Sequence, residues 1–188
     1  SGAGVYAENS IKMDVLSQID GDGSGASRKF EASAIDVLAT DQSYISAFAG
    51  AASVAAGFGQ VGVAVSIGAA IARNDIGSTT KAEIKNANDS ITTQSGHVTV
   101  KAAQSASVQV IAAAASAAIA AGQIGVGLSG AGADAANLIH SSTRAQVVDS
   151  HLISADDIVV ECAGTSIIDS FVFSASAGVG IGQAGIGA

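Results

Sequence analysis

The chain has 188 residues, with 8 Lys and Arg against 16 Asp and Glu for a net charge of −8, 23 Gly, one Cys, no Pro and no Trp. A hydrophobic share of 48% excludes a disordered chain. The acidic balance excludes a nucleic-acid binder, which needs a basic face. A single cysteine excludes a disulfide framework or a structural zinc site.

In chain order, the sequence opens Ser1-Gly2-Ala3-Gly4, without the basic and apolar regions of a signal peptide. It closes in mid-pattern at Gly185-Ile186-Gly187-Ala188, so a piece of a longer chain is expected. The first local motif is Asp20-Gly21-Asp22-Gly23-Ser24-Gly25, followed by Glu31. Asp20, Asp22, Ser24 and Glu31 stand at the spacing of a calcium loop, in which several oxygens converge on a hard cation around a glycine turn. Calcium is therefore the one candidate cofactor. A solvated Gly/Asp turn is favoured over it, because the flanks read as strands and Arg28 and Lys29 dilute the charge.

Three stretches, 42–72, 102–133 and 170–188, carry no charge. Their length raises a membrane-spanning reading. Against it, Val61, Val63, Val65 and Ile67 alternate with Gly62, Ala64, Ser66 and Gly68, which is the period of a strand. No Trp or Lys/Arg clusters mark a membrane interface either.

Self-similarity is the strongest signal. Gly59-Gln60-Val61-Gly62 matches Gly122-Gln123-Ile124-Gly125 and Gly182-Gln183-Ala184-Gly185, with glutamines 123−60 = 63 and 183−123 = 60 residues apart. Asn9, Asn74 and Asn137 recur before Ser-Ile, Asp-Ile and Leu-Ile. Lys81-Ala82-Glu83-Ile84 matches Arg144-Ala145-Gln146-Val147, and His97-Val98-Thr99-Val100 matches Asp157-Ile158-Val159-Val160. Three units of about 63 residues account for the chain as one repeat array, divided near 1–31, 32–96, 97–157 and 158–188 with partial ends.

Each unit reads as several short strands; in the second they fall near 97–103, 107–120, 123–133 and 143–148. The Ala-rich run from Ile111 to Ala121 favours helix by propensity, but its counterpart Phe171-Val172-Phe173-Ser174 does not, so strand is expected in every copy. The predicted fold is all-β, a parallel β-solenoid, in which identical residues stack in columns. Gln60, Gln123 and Gln183, and Asn9, Asn74 and Asn137, are predicted amide ladders. The absence of proline fits strands paired on both edges. A Val/Ile face opposite a Gly/Ala/Ser face predicts burial on both sides. Whether a unit is one wide coil or several narrow ones is left open.

Other chemistry is thin. Gly57-Phe58-Gly59-Gln60-Val61-Gly62 has dinucleotide-loop spacing, but it recurs at the repeat period, which indicates packing glycines. His97, His140 and His151 share no metal spacing, and His97 is expected to be solvated. Cys162 is expected to be buried as a small hydrophobe. Asp149, Asp156 and Asp157 read as acidic turns, and Asn88-Asp89-Ser90 fits a glycosylation sequon.

Alternating Gly/Ala/Ser/Val repeats, with turns like Asn88-Asp89-Ser90 and strands like Val98-Thr99-Val100-Lys101-Ala102-Ala103, resemble the β-helical stalk repeats of giant bacterial surface proteins and filamentous-haemagglutinin-like adhesins. The resemblance implies secretion or surface display, a fibrous role and no active site. The expected function is a non-enzymatic structural segment of an extracellular fibre or adhesin, self-associating through its ends or small-residue faces. A glycan or host-surface ligand is left unidentified. Two alternatives are carried. One is a glycan-acting β-helix, weakened by having only 2 Tyr, 5 Phe and no Trp for sugar stacking. The other is a membrane-inserting Gly/Ala segment. An ice-binding solenoid would need more threonine rows than Thr79-Thr80 and Thr92-Thr93 supply.

Overall fold

A computed structural model describes residues 1–21, 29–88 and 91–188. The strands in chain order are β1 (Gly2–Asp20), β2 (Phe30–Ala32), β3 (Ile35–Phe58), β4 (Val61–Lys85), β5 (Ile91–Thr93), β6 (Val98–Ala121), β7 (Ile124–Val148), β8 (Leu152–Ile153), β9 (Ile158–Ile181) and β10 (Ala184–Gly187). They form three parallel sheets, ordered β1-β4-β7-β10, β3-β6-β9 and β2-β5-β8. The chain is a parallel β-solenoid, and its repeat is the rung.

Each repeat makes one wide coil. A long strand runs out, turns through Gly59-Gln60, Gly122-Gln123 or Gly182-Gln183, returns as a second long strand in the facing sheet, and closes through a short third side. At the usual rise, strands of 24 and 25 residues span about 80 Å. Each rung adds about 4.8 Å to the stack. The expected short strands are thus fused into long ones. With no proline or bulge to interrupt pairing, the ladder continues through the Ala-rich Ile111–Ala121 stretch, and neighbouring strands override its helix propensity.

The register follows the sequence periodicity residue by residue. Asn9 lies on Asn74 and Asn74 on Asn137. Lys81 lies on Arg144, and Val98 on Ile158. The long strands end in matched turns: Asn86 (φ 55°) and Asp149 (φ 46°) both adopt the left-handed conformation that short amide and carboxylate side chains tolerate.

The interior changes along the strands. Near the short third side it is built from Ile35, Val37, Ile84, Val98 and Val100. Midway it turns to Ala49, Ala70, Ala72, Ile76 and Ala112, and beside the turn to Ala64, Ala118 and Ala120. As side chains shrink, the sheets close until the main chains touch. A Cβ on Gly68 would lie 2.6 Å from the carbonyl oxygen of Ala115, and one on Gly62 would lie 2.7 Å from that of Ala121. The expected two-sided burial is therefore corrected. Near the turn the small face is the inside, and Val61, Val63, Val65 and Ile67 stand exposed on the outside.

Candidate functional site

The chemistry of this fold is concentrated in columns that run up the stack, because parallel in-register pairing places every repeat position over its equivalent. The asparagine column is realised as an amide ladder. Asn9 Nδ2 donates to Asn74 Oδ1 at 2.9 Å, and Asn74 Nδ2 donates to Asn137 Oδ1 at 2.8 Å. Asn74 is buried, so the ladder satisfies an amide that would otherwise be costly to desolvate.

Gln60, Gln123 and Gln183 also fall in one column, at the turns. Main-chain bonds link these turns: Gln123 N–H donates to the Gln60 carbonyl at 3.0 Å, and Ala184 N–H, next to Gln183, donates to the Gln123 carbonyl at 3.2 Å. All three side chains face solvent, because the turn lies outside the inter-sheet core. The glycines of the dinucleotide-like pattern serve close approach. Gly62 packs on the Ala121 carbonyl, and Gly125 lies 2.7 Å, measured from its would-be Cβ, from the Ile181 carbonyl.

The structure adds a column that the sequence reading missed. Ser53 and Ser66 reach across between the two sheets, with oxygens 2.7 Å apart, and Ser53 donates to the Ile67 carbonyl at 2.8 Å. One rung up, Ser116 and Ser129 repeat the pair at 2.6 Å, with Ser116 donating to the Gly130 carbonyl at 2.8 Å. Their spacing, 116−53 = 63 and 129−66 = 63, was the available signal. A second missed feature is a buried polar seam between the two apolar clusters. Asp41 accepts from Ser43 Oγ at 3.1 Å and from Gln104 Nε2 at 3.5 Å, and Thr143 donates to Gln104 Oε1 at 2.8 Å.

Of the calcium-loop residues, Asp22 and Ser24 lie outside the described residues, as do Asp89 and Ser90 of the sequon. Asp20 takes a hydrogen bond from Asn86 at 2.8 Å and an ion pair from Lys85 at 3.1 Å. These two partners, Asn86 first, hold its carboxyl below the usual range. Glu31 accepts from Gln94 Nε2 at 3.0 Å. Both carboxylates are thus tied to the next rung. Among the described residues, no group of three or more His, Cys, Asp or Glu is placed to hold a metal.

The densest charge network centres on Glu83, whose side chain is buried beneath its neighbours. Lys81 Nζ lies 2.5 Å away, Gln146 Nε2 donates at 2.7 Å and Lys85 stands at 3.7 Å. The hydrogen bond from Lys81, then that from Gln146, lowers its pKa against the opposing effect of burial. His97 Nε2 lies 3.2 Å from Asp36 Oδ1, and His140 Nδ1 lies 3.1 Å from Asp75 Oδ1. Asp149, Asp156 and Asp157 are exposed at turns. Cys162 corrects its expected burial. It is in register with fully buried Ala102, but β9 is the last strand of its sheet, so the thiol is exposed.

No helix among the described residues is long and apolar enough to cross a membrane. No known family model, curated protein or solved structure matches the chain.

Proposed function

We propose that the chain is a non-catalytic structural segment of a secreted or cell-surface bacterial fibre or adhesin, and that it supplies cohesion through stacked rungs. One observation carries this reading: pairing of each long strand with its counterpart one repeat away is continuous, 19 residues for β1 on β4, 25 for β4 on β7 and 24 for β3 on β6 and for β6 on β9. Such a stack resists shear because sliding a rung would break a whole ladder at once and misplace every column. The geometry supports a broad ribbon rather than a thin thread. A repeat of about 63 residues adds only about 4.8 Å of height but about 80 Å of width.

Among the described residues, the outermost rungs leave main-chain groups open on β1 and β3 at one side and on β9, β10 and most of β7 at the other, which favours end-to-end association. Electron microscopy of tandem concatemers tests the reading. Particle width should stay constant near 80 Å while height grows by about 4.8 Å per added repeat. Compact particles whose width grows with repeat number would overturn it.

A further inference from the structure

We propose that the outward face of the β3-β6-β9 sheet, from the row of Phe48 to the row of Phe58, is a docking surface for a second copy of this chain, packed face to face. The proposal rests on the fibre reading and adds a lateral contact to it.

The face is apolar and uncovered. Phe48, Val54 and Phe58 are 70%, 69% and 77% exposed, and Phe171, Phe173 and Ile181 continue the same surface two rungs away. Patches of this kind mark interaction sites. It is low in the middle. Ala52, Ala115 and Ala175 make one row of small side chains across the three strands, between the rows of Phe48 and Phe58. The Phe48 ring lies down over Gly50, with Cε1 2.7 Å from where a Cβ would stand.

Charge is sorted along the strands. Net charge is −8, yet 44–58, 107–121 and 170–181 carry none, and the Ser46-Gln109-Asp169 row marks the first carboxylate. Two copies can therefore meet here without bringing like charges together, while the acidic halves stay apart in solvent.

Area sets the strength. The 12 residues from Ser170 to Ile181 span about 40 Å, and three rungs about 14 Å, or roughly 550 Å² per partner. A standard interface uses about 800 Å² per partner. Pairing of this chain is thus reversible, and it tightens with every rung added.

The opposite sheet is less suited. Glycine interrupts its rows: Ile67 stands between Gly2 and Gly130, and Ala69 between Gly4 and Gly132, and nothing lies within 4 Å of a Cβ on Gly130 or Gly132.

Sedimentation equilibrium on the full chain, from about 10 µM to about 1 mM, tests this, with flotation on neutral phosphatidylcholine vesicles beside it. The expected result is a concentration-dependent dimer and no flotation. Ala115→Asp at the patch centre, and independently Phe48→Lys at its rim, should raise the dissociation constant at least about tenfold with β-sheet circular dichroism retained. Val63→Asp on the other face should change it less than about twofold. A monomer throughout, a dimer indifferent to both patch variants, a dimer lost in Val63→Asp, or vesicle binding would each overturn the lateral contact. None of these outcomes bears on rung height in concatemers, which tests the fibre reading separately.

Discussion

Asn74 accepts a hydrogen bond from Asn9 and donates one to Asn137, so a single buried amide joins residues 65 and 63 positions away on either side. Replacing it strands both neighbours. Asn74→Leu leaves the Asn9 donor and the Asn137 acceptor unpaired and should cost about 1–3 kcal/mol. Asn74→Asp keeps the shape but removes the donor, and should also destabilise. Urea denaturation of each variant checks this; a midpoint at the wild-type value would show that the ladder contributes nothing.

Close contact of the two sheets at Gly68 leaves no room for a side chain, since its would-be Cβ lies 2.6 Å from the Ala115 carbonyl oxygen. Gly68→Val should cost about 3 kcal/mol or more, because backbone rather than a flexible side chain must yield. Gly130→Ala, where the added Cβ meets nothing within 4 Å, should stay within about 0.5 kcal/mol. Comparison of the two thermal transitions decides whether main-chain approach sets the sheet spacing.

The Glu83 carboxyl is held low by Lys81 and then by Gln146. A group whose folded pKa is depressed lends stability that is complete above its unfolded value, about 4.3 for Glu, and is lost as pH falls through the folded value. Stability should therefore decline on acidification below about pH 4.3, and Glu83→Gln should flatten that decline. Urea midpoints measured between neutral and strongly acidic pH test the sign; a steeper decline in the variant would contradict it.

Left-handed backbone at Asp149 is tolerated but not free for a residue with a Cβ. Asp149→Gly should be neutral or stabilising, and Asp149→Val should cost about 1–2 kcal/mol. Because Asn86 also bonds Asp20 at 2.8 Å, Asn86→Gly should gain less than Asp149→Gly does.

Calcium must compete with Lys85 and Asn86 for Asp20 and with Gln94 for Glu31. Titration calorimetry should register no binding tighter than about millimolar. A micromolar isotherm would assign the 20–31 loop to calcium instead.

Much of the fold was legible because a solenoid writes its register into the sequence. The offset between Gln60 and Gln123 is the offset by which Val61 lies on Ile124, and the Asn ladder followed from the same arithmetic. Strand length was not legible, because an alanine run such as Ala112–Ala115 has no intrinsic preference for strand and takes it from the ladders on both sides. Burial of Val61–Ile67 on both faces was expected and only the small face is inside, for a different reason. Hydrophobicity alone puts valine inside, whereas the inter-sheet distance is set by Gly62 and Gly68 and admits only small residues. The Ser53–Ser66 and Ser116–Ser129 pairs were readable in principle, but serine is common enough here that spacing alone did not single them out.

The outermost strands have a kinetic consequence. β1 and β9 each lean on a ladder along one edge only, whereas β4 and β6 are held along both. Amide protons should accordingly exchange fastest at the two extremities and slowest in the central rungs, so that dissolution proceeds as peeling from the rims inward. Any added layer converts a rim into an interior and slows erosion of everything beneath it.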